Sequence, residues 1–253
     1  MSTLRFAAPH ERRLAIVTGG ARGIGGATAI RLAEDGRDVV LADLDEAEAA
    51  GTLAAIESLG QRALFVKTDV SVEAEVHAMV ARAVEAFGRL DILVCCAGIF
   101  GREAPFLEIA SDDFDRIMRV NVHGVFYCHQ AAIPHMLRQG WGRCVTITSA
   151  ARLGATHNTS YGVSKGAVWS LIMALGNAYP RQGVFVNGVE PGRALTQMVV
   201  PRFSREHLEN PGVPIGRYAD AEEVAEVIAF LASERNTYTT GAVWSVKGAS
   251  GWS

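Results

Sequence analysis

Short apolar runs alternate with longer helical patterns along this 253-residue sequence, and this alternation limits the folds open to the chain. The short runs are rich in Val, Ile, Leu and Ala, which is typical of strands covered on both faces by helices. The longer segments carry apolar residues at helical spacing, for example Val76, Met79, Val80 and Ala83. We predict strands at residues 14–18, 38–43, 63–68, 92–96, 144–148, 184–189 and 243–246.

Regular alternation of strands and helices predicts parallel strands joined by right-handed crossovers. We therefore expect an α/β fold of the Rossmann type, a doubly wound parallel sheet of about seven strands with helices on both faces. No linker or repeat divides residues 1–253, so we expect one domain with a flexible N-terminal leader at residues 1–12. The irregular stretch at residues 193–213 is typical of a loop that forms a lid over a substrate.

Composition and charge argue against several classes of partner. The net charge of −3 comes from scattered residues, without the basic patch of a nucleic-acid-binding face. No apolar run approaches the ~20 residues that span a bilayer. The cysteines form no Cys-x-x-Cys pair, and His123, His129 and His135 lie about 120° apart on a helix. We expect no metal, no membrane contact, and free thiols in a reducing cytoplasmic location.

Three glycines follow the first predicted strand directly and precede a helical pattern. Gly19, Gly23 and Gly25 have the spacing GxxxGxG, and the helix follows from Ile24. Glycines between a strand and a helix let the backbone approach a pyrophosphate, while the helix N-terminus supplies amide donors. This glycine junction therefore predicts a site for a phosphate-bearing cofactor.

Asp43 ends the second predicted strand, 18 residues after Gly25. An acidic residue there hydrogen-bonds the adenosine ribose 2′-hydroxyl and repels a 2′-phosphate, which favours NAD over NADP. Arg22 argues the other way, because a guanidinium beside the glycines is able to reach a phosphate. Asp43 has two other interpretations, as a solvated residue at the end of the strand or as the N-cap of the next helix, a position that Asp45 also fits.

Tyr161 and Lys165 stand four residues apart, which places them on one face of a helix. A phenol titrates near pH ~10, and a neighbouring ammonium lowers that pKa. The hydroxyl of Tyr161 is then able to donate or accept a proton in a reaction. Together with the glycine junction, this pair predicts a redox enzyme.

These motifs belong to an ordered set that covers almost the whole chain. The set comprises TGGARGIG at residues 18–25, TDVS at residues 68–71, Ala97-Gly98, Asn121, Tyr161-x-x-x-Lys165, Pro191-Gly192 and Thr196. In this set the sequence closely resembles the short-chain dehydrogenase/reductase family, from Leu14 to about Gly248. The resemblance implies a dehydrogenase that binds NAD and a small-molecule substrate.

The resemblance also implies roles for individual residues. Tyr161 would transfer the proton of the substrate oxygen, Lys165 would hold the nicotinamide ribose, and Asn121 would hold a water in a proton relay. Asp69 and Val70 would lie along the adenine. The implied cofactor-binding set is Gly19, Arg22, Gly23, Ile24, Gly25, Asp43, Leu44, Asp69, Val70, Ala97, Gly98, Tyr161, Lys165, Pro191, Gly192 and Thr196.

A serine that polarises the substrate oxygen completes the implied catalytic set. Ser149 has the family's local motif but stands 12 residues before Tyr161, one fewer than the usual spacing. Thr148 has the usual spacing but breaks the local motif. We favour Ser149 together with a one-residue deletion in the loop at residues 152–159.

The sequence departs from the family's pattern at two further segments. Cys95-Cys96 replaces the usual Asn pair. Because a thiol is a weak hydrogen-bonding group, we expect a compensating water or a loss of local stability there. Val246-Lys247-Gly248-Ala249 stands where an acidic residue and paired glycines are common, in a region that tends to form a subunit contact.

Glu190 occupies a position that usually carries a small residue. Four other polar residues map with it to segments that would line the substrate pocket, namely Arg152, His157, Asn158 and Arg193. Such a pocket suits a small polar substrate, for example a polyol or a sugar. A second interpretation, equally supported by the sequence, is an ion pair between Glu190 and Arg152 that fixes the loops.

We therefore expect an NAD-dependent enzyme that interconverts a secondary alcohol and a ketone. The alternatives are a 3-oxoacyl-thioester or other ketone reductase, which would draw on NADPH, and a catalytically silent dinucleotide-binding regulator. Phe126, Trp169 and Met173 add apolar residues to helices that pair across two-fold axes in the family. We expect a homotetramer for this reason, with a dimer as the alternative.

Overall fold

All seven predicted strands are present in the computed structural model, which describes residues 12–195 and 212–249. They are Leu14–Thr18 (β1), Asp38–Asp43 (β2), Ala63–Lys67 (β3), Ile92–Cys95 (β4), Gly142–Ile147 (β5), Val184–Pro191 (β6) and Val243–Val246 (β7). The strands pair in parallel in the order β3-β2-β1-β4-β5-β6-β7. The predicted doubly wound sheet of the Rossmann type is confirmed.

Helices cover both faces of this sheet. They are Gly23–Glu34 (α1), Glu46–Ser58 (α2), Glu73–Phe87 (α3), Ser111–Met118 (α4), Gly124–Gln139 (α5), Thr159–Ala178 (α6) and Ala221–Leu231 (α7). A π-helical turn, Arg119–His123, joins α4 to α5, and 3-10 turns lie at Phe106–Glu108, Ala150–Leu153 and Pro180–Gln182. Helices α1, α2 and α7 pack on one face, and α3, α5 and α6 pack on the other.

The apolar strands supply side chains to two cores because successive residues of a strand point to opposite faces. In β1, Ile16 joins the core that contains Val76 of α3, whereas Val17 joins the core that contains Leu32 of α1. Full burial of a side chain of this size contributes about 1.5–3 kcal/mol. The double coverage explains why the central strands have continuous apolar sequences rather than an alternating pattern.

Buried charges join the amino ends of the strands. Asp91, directly before β4, is fully buried and accepts hydrogen bonds from Arg13 Nη1 at 3.0 Å and Arg89 Nε at 2.7 Å. Glu234 pairs with Arg13 Nε at 2.6 Å and with Arg37. A buried carboxylate needs such partners, because removing one of them leaves a charge without compensation. We call these five residues the amino-edge ion cluster.

The opposite, carboxyl edge of the sheet contains the point at which the strand order reverses. β1 has β2 on one side and β4 on the other, so the chain proceeds outward from β1 in two directions. Ligands of doubly wound folds bind beyond the carboxyl ends of the strands at this point. The glycine junction, the residues after β4 and the N-terminus of α6 therefore share one edge.

Candidate active site

The glycine junction connects β1 to α1 at the carboxyl edge. Gly19 has a φ of +65°, and a β-carbon there would lie 2.8 Å from the backbone N of Ala97. A β-carbon at Gly25 would overlap the carbonyl oxygen of Gly19. Side chains are therefore excluded at both positions, by the turn and by the close approach of α1. Gly23 begins α1, and Ile24 packs partly buried against the core.

The N-terminus of α1 is open to an anion. Arg22 stands at its N-cap without a side-chain hydrogen bond to the first turn, and that turn carries no acidic residue. The first backbone N–H groups of a helix have no partner inside the helix, and the dipole gives this end a partial positive charge. Together with the space left by the glycines, these donors fit the pyrophosphate of a dinucleotide such as NAD.

Asp43 ends β2 and reaches the glycine junction. Its Oδ2 accepts a hydrogen bond from the backbone N of Ala21 at 3.0 Å, and its Oδ1 accepts one from the backbone N of Leu44 at 2.8 Å. The N-cap of α2 is Asp45, which accepts hydrogen bonds from two backbone N–H groups of that helix. The helix-cap interpretation of Asp43 is therefore wrong, and the Asp43 carboxylate is held beside the glycine junction.

Arg22 is engaged by a second carboxylate. Its Nη1 lies 2.8 Å from Oε2 of Glu48 in α2, and both side chains are about half exposed. Such a surface pair contributes only about 0–1 kcal/mol to stability. It nevertheless occupies the guanidinium, so a 2′-phosphate would compete with Glu48 and also meet the charge of Asp43. The electrostatics of the junction favour a 2′-hydroxyl and hence NAD.

Asp69 and Val70 follow β3 at the same edge. The backbone N of Thr68 donates to the carbonyl of Asp43 at 2.9 Å, which brings this segment alongside the end of β2. Oδ1 of Asp69 accepts hydrogen bonds from the backbone N and the hydroxyl of Ser71, at 2.9 and 2.7 Å. Val70 is buried. The segment predicted to contact the adenine is therefore fixed beside Asp43.

Asn121 is fully buried in the π-helical turn between α4 and α5. Its Oδ1 accepts a hydrogen bond from the backbone N of Ile99 at 2.8 Å, and its Nδ2 donates to the carbonyl of Ile99 at 2.9 Å. These bonds fix the chain that follows Ala97-Gly98, and a β-carbon at Gly98 would lie 3.2 Å from Oδ1. Turns of this kind frequently occur at functional sites.

Tyr161 and Lys165 lie in the first two turns of α6. Lys165 is buried, and its Nζ donates to the carbonyl of Ile147 at 2.8 Å and lies 5.5 Å from the ring centre of Tyr161. Burial lowers the pKa of the Lys165 ammonium to about 8, although nearby Cys96 acts in the opposite direction. The ring of Phe100 packs against that of Tyr161, with 4.7 Å between the centroids. The pair therefore combines a hydroxyl with a buried, titratable cation.

Ser149 follows β5 and caps the 3-10 turn Ala150–Leu153. Its Oγ accepts a hydrogen bond from the backbone N of Ala151 at 3.2 Å, and the residue is partly exposed. Thr148 is buried, and its Oγ1 donates to the carbonyl of Val189 at 3.2 Å. The hydroxyl of Thr148 is therefore committed to β6, whereas that of Ser149 faces the turn that follows β5.

Ser164, which the sequence analysis missed, links two predicted site residues. Its hydroxyl donates to the carbonyl of Tyr161 at 2.7 Å and accepts a hydrogen bond from Asn121 Nδ2 at 3.0 Å. Ser164 is fully buried, so both bonds are shielded from water. The signal in the sequence is its position, three residues after Tyr161 and therefore on a neighbouring part of the same helix face.

Glu190 lies in β6 and is completely buried. Its Oε2 accepts a hydrogen bond from Arg152 Nε at 2.9 Å, and its Oε1 accepts one each from Ser245 Oγ and Lys247 Nζ at 3.1 Å. Burial alone would raise the pKa of this carboxyl, but the bonds from Lys247 and Ser245 and the charge of Arg152 lower it overall. The predicted ion pair between Glu190 and Arg152 is present.

Asn158 has the most unusual environment among the remaining residues of the predicted pocket. It stands at the N-cap of α6, and its buried amide has no hydrogen-bond partner within residues 12–195 and 212–249. An unpaired buried amide costs about 1–3 kcal/mol, so a ligand that satisfied it would bind favourably. His157 is exposed, and its carbonyl accepts a hydrogen bond from the backbone N of Ala104 at 3.0 Å.

The chain leaves β6 at Pro191 and passes the end of β7. A β-carbon at Gly192 would lie 2.6 Å from Cβ of Lys247, so this segment packs closely on the last strand. The carbonyl of Arg193 accepts a hydrogen bond from the backbone N of Ala219 at 2.9 Å. Thr196 and the part of the predicted lid at residues 196–211 lie outside the described residues, as does the leader before Arg12.

The Cys95-Cys96 segment places a thiol cluster in the core. Cys95 hydrogen-bonds with Cys128, and its thiol also lies within hydrogen-bonding reach of His129 and Thr146. The weak donor that replaces the usual amide thus has protein partners. Burial raises the pKa of the Cys96 thiol, which keeps it protonated. All four cysteines of the chain are free.

Within residues 12–195 and 212–249, no group of three or more His, Cys, Asp or Glu side chains is arranged to hold a metal ion. In the same part of the chain, the helices are too short or too polar to cross a lipid bilayer.

Comparison with known proteins gives matches along almost the whole chain. The family model described as Enoyl-(Acyl carrier protein) reductase matches residues 19–249. The cis-4-hydroxycyclohexanecarboxylate dehydrogenase of Sinomonas cyclohexanicum is 41% identical over 240 residues, which are 93% of this chain and 95% of that protein. The 2-dehydro-3-deoxy-L-rhamnonate dehydrogenase (NAD(+)) of Sphingomonas sp. (strain SKA58) is 35% identical over 246 residues, 96% of this chain and 97% of that protein.

The solved structure of an NAD+-bound xylitol dehydrogenase is similar to this chain throughout. The TM-score is 0.89 at 30% sequence identity, and the match covers 96% of this chain and all of that chain. Fold and sequence therefore point to the same group of proteins.

Proposed function

The chain belongs to the short-chain dehydrogenase/reductase family, and on this premise we propose that it interconverts a secondary alcohol and a ketone by NAD-dependent hydride transfer. One observation carries the proposal. α6 is joined to β5 by the bond from Lys165 to Ile147 and to Asn121 through Ser164. These bonds bring Tyr161 to the carboxyl edge that also carries the dinucleotide-binding glycines, so an acid–base group stands beside a cofactor site.

Tyr161 transfers the proton of the substrate oxygen. Lys165 is cationic at neutral pH because its pKa, although lowered by burial, is still about 8. This cation lies 5.5 Å from the ring centre of Tyr161, and a cation near a phenol stabilises the phenolate that forms when the proton leaves. Ser149 donates a hydrogen bond to the same substrate oxygen and stabilises the charge that develops there.

NAD, when bound, supplies the nicotinamide carbon that accepts the hydride. The residues of the chain provide its site. Asp43 would accept a hydrogen bond from the ribose 2′-hydroxyl, the N-terminus of α1 would bind the pyrophosphate, and Lys165 would hold the nicotinamide ribose. Asn121 fixes the strand end beside Gly98 through its two bonds to Ile99 and holds a water of the proton relay.

The substrate is a small hydroxy compound with several polar groups. The unpaired amide of Asn158 supports this assignment, because a polar group of the substrate would satisfy it. Relatives of the chain are named as dehydrogenases of a hydroxycyclohexanecarboxylate, of a deoxyrhamnonate and of xylitol. His157 and Arg193 complete the proposed pocket.

We also propose a single-domain homotetramer in the reducing cytoplasm. The exposed fraction of Phe126 in α5 is 46% and that of Trp169 in α6 is 38%, which supports an apolar contact between subunits at these helices. Phe126, Tyr127 and Leu171 also line a groove between α5 and α6 that a second copy would fill. The four free cysteines support a reducing compartment.

The test is formation of reduced nicotinamide by the purified protein. NAD and NADP are offered separately with a panel of polyols, sugars, hydroxy acids and cyclic alcohols. We expect turnover with NAD, and loss of at least about a hundredfold in kcat for Tyr161→Phe with NAD binding retained. Turnover with NADP alone would favour the ketone reductase instead. Tight NADH binding without turnover of any compound would favour the regulator.

A further inference from the structure

Three departures of this sequence from its family's pattern meet at one carboxylate. Glu190, Lys247 and the shortened loop that begins at Arg152 are separate features of the sequence, with Arg152 and Lys247 standing 38 and 57 residues away from Glu190. In the fold, Arg152 Nε lies 2.9 Å from Oε2 of Glu190 and Lys247 Nζ lies 3.1 Å from Oε1. We call these three residues the Glu190 cluster.

One end of the cluster holds the turn that carries Ser149. Arg152 belongs to the 3-10 turn Ala150–Leu153, and its backbone N donates to the carbonyl of Ser149 at 3.2 Å. The backbone N of Ala151 donates to Oγ of Ser149, also at 3.2 Å. The ion pair that joins Arg152 to β6 therefore restrains the same turn that orients the Ser149 hydroxyl.

The other end of the cluster holds the segment beside Pro191-Gly192. Ser245, which pairs with Glu190 in the register of β6 and β7, donates to Oε1 at 3.1 Å. Lys247 contributes the second bond to that oxygen, and its own backbone lies against Gly192. The carboxylate thus joins the Ser149 turn to the segment that contacts the cofactor in the proposed site.

We propose that Glu190 is a positioning residue. Through its bond to Arg152, it fixes the orientation of the Ser149 hydroxyl for the hydride-transfer reaction. This inference rests on the proposed function. The carboxylate of Glu190 is fully buried and its two cationic partners are partly exposed, and burying a charge carries a desolvation penalty, so the cluster is weak evidence for stability. Its bonds do fix geometry, however, and a displacement of about 1 Å in an active site costs about a hundredfold in rate.

The first experiment is a double-mutant cycle between Glu190→Gln and Ser149→Ala. The amide that replaces the carboxylate would turn a donor toward Lys247 or Arg152, so the cluster loses a bond while the volume is unchanged. We expect Glu190→Gln to lower kcat by about tenfold to a hundredfold with unchanged NAD affinity. In the Ser149→Ala background the same change should lower kcat by less than about twofold. Equal losses in both backgrounds would overturn the proposal.

Glu234→Gln is the matched control. Glu234 is also a carboxylate that pairs with two basic residues, but it belongs to the amino-edge ion cluster. Loss of the Glu234 charge should lower the melting temperature and leave kcat within about twofold of the wild-type value. If Glu190→Gln fails to fold, Arg152→Lys replaces it. This variant keeps the positive charge but lacks the Nε–H group that donates to Glu190, and it is combined with Ser149→Ala in the same double-mutant cycle.

Hydrogen exchange separates this inference from the proposed function. The backbone N–H groups of Ala151 and Arg152 are bonded to Ser149, so their exchange reports on the turn directly. We expect faster exchange at these positions in Glu190→Gln and unchanged exchange in Glu234→Gln. Absence of turnover in the wild type would refute the proposed function only. Unchanged exchange in Glu190→Gln would refute the positioning role.

Discussion

The carboxylate of Asp43 and the backbone N of Ala21 are joined by a 3.0 Å hydrogen bond that links the end of β2 to the glycine junction. The bond orients one carboxylate oxygen toward the glycine junction, while the other oxygen accepts a hydrogen bond from the backbone N of Leu44. Asp43 is therefore fixed before any cofactor arrives. Preorganisation of this kind reduces the ordering that binding would otherwise require.

Cofactor preference should change when both carboxylates near Arg22 are removed. In Asp43→Ser with Glu48→Gln, the guanidinium loses its partner and the repulsion of a 2′-phosphate disappears. We expect the ratio of kcat/KM for NAD to that for NADP to fall at least about tenfold, which corresponds to ~1.4 kcal/mol. Glu48→Gln alone should keep the preference for NAD. A double variant with the wild-type ratio would refute the role of Asp43.

Gly25→Ala should disrupt the cofactor site. Its β-carbon would overlap the carbonyl oxygen of Gly19, so α1 must move away from the junction. We expect a loss of about 1–3 kcal/mol in stability and weaker NADH binding, measured by denaturation and by fluorescence titration. Gly51→Ala in α2 is the control, because open space surrounds that position. It should stabilise the protein by about 0.5–1 kcal/mol, and equal effects of the two changes would contradict the prediction.

Stability of the cofactor-free enzyme should depend on pH through Lys165. Burial lowers the pKa of Lys165 from 10.5 to about 8 in the folded protein. Between these values the unfolded chain binds more protons, so the free energy of unfolding rises with pH. Below pH 8 the full cost of burying the cation is present.

Lys165→Met removes this dependence. The free energy of unfolding of the wild type relative to the variant should increase by about 3 kcal/mol between pH ~8 and pH ~10.5. Urea denaturation of both proteins across that range measures the difference. A difference that stays constant with pH would show that the folded protein does not lower this pKa.

Phe126→Glu should weaken subunit association. Phe126 is 46% exposed in α5, so a charge there is tolerated by the subunit itself but opposes burial against a second copy. We expect light scattering to detect a species smaller than the proposed tetramer of the wild type, with an unchanged circular dichroism spectrum. Leu107→Glu, at an almost fully exposed apolar residue outside α5 and α6, should remain a tetramer. A monomeric wild type would contradict the proposal directly.

The fold was accessible to sequence analysis because its signals are local. β1, β2 and β7 begin and end at the predicted residues. β1 and β2 are buried almost throughout and have continuous apolar sequences, whereas β7 is a partly exposed strand at the edge of the sheet. The glycine spacing and the Tyr161–Lys165 interval are likewise contained within short segments of the chain. These signals required no knowledge of contacts between distant parts of the chain.

The ambiguous assignments depended on contacts between distant residues. Thr148 and Ser149 are adjacent, and the bond from the Thr148 hydroxyl to the carbonyl of Val189 in β6 distinguishes their surroundings. The helix-cap interpretation of Asp43 failed because Asp45 caps α2. The partners of Glu190 come from the residues after β5 and from the end of the chain around β7, and no local spacing relates them. Such pairings follow from the strand order and become visible only once the sheet is assembled.

The position of the amino-edge ion cluster allows the pocket loops of this protein to change without loss of the ion pairs. Asp91 and Glu234 fasten the strand ends that lie farthest from Tyr161, so replacement of pocket loops leaves those fastenings untouched. Directed evolution toward a new alcohol can therefore begin with residues 153–158 while Arg152 and the framework are kept. A protein whose stabilising ion pairs lie at one edge of the sheet and whose pocket loops lie at the other is a suitable parent for combinatorial libraries.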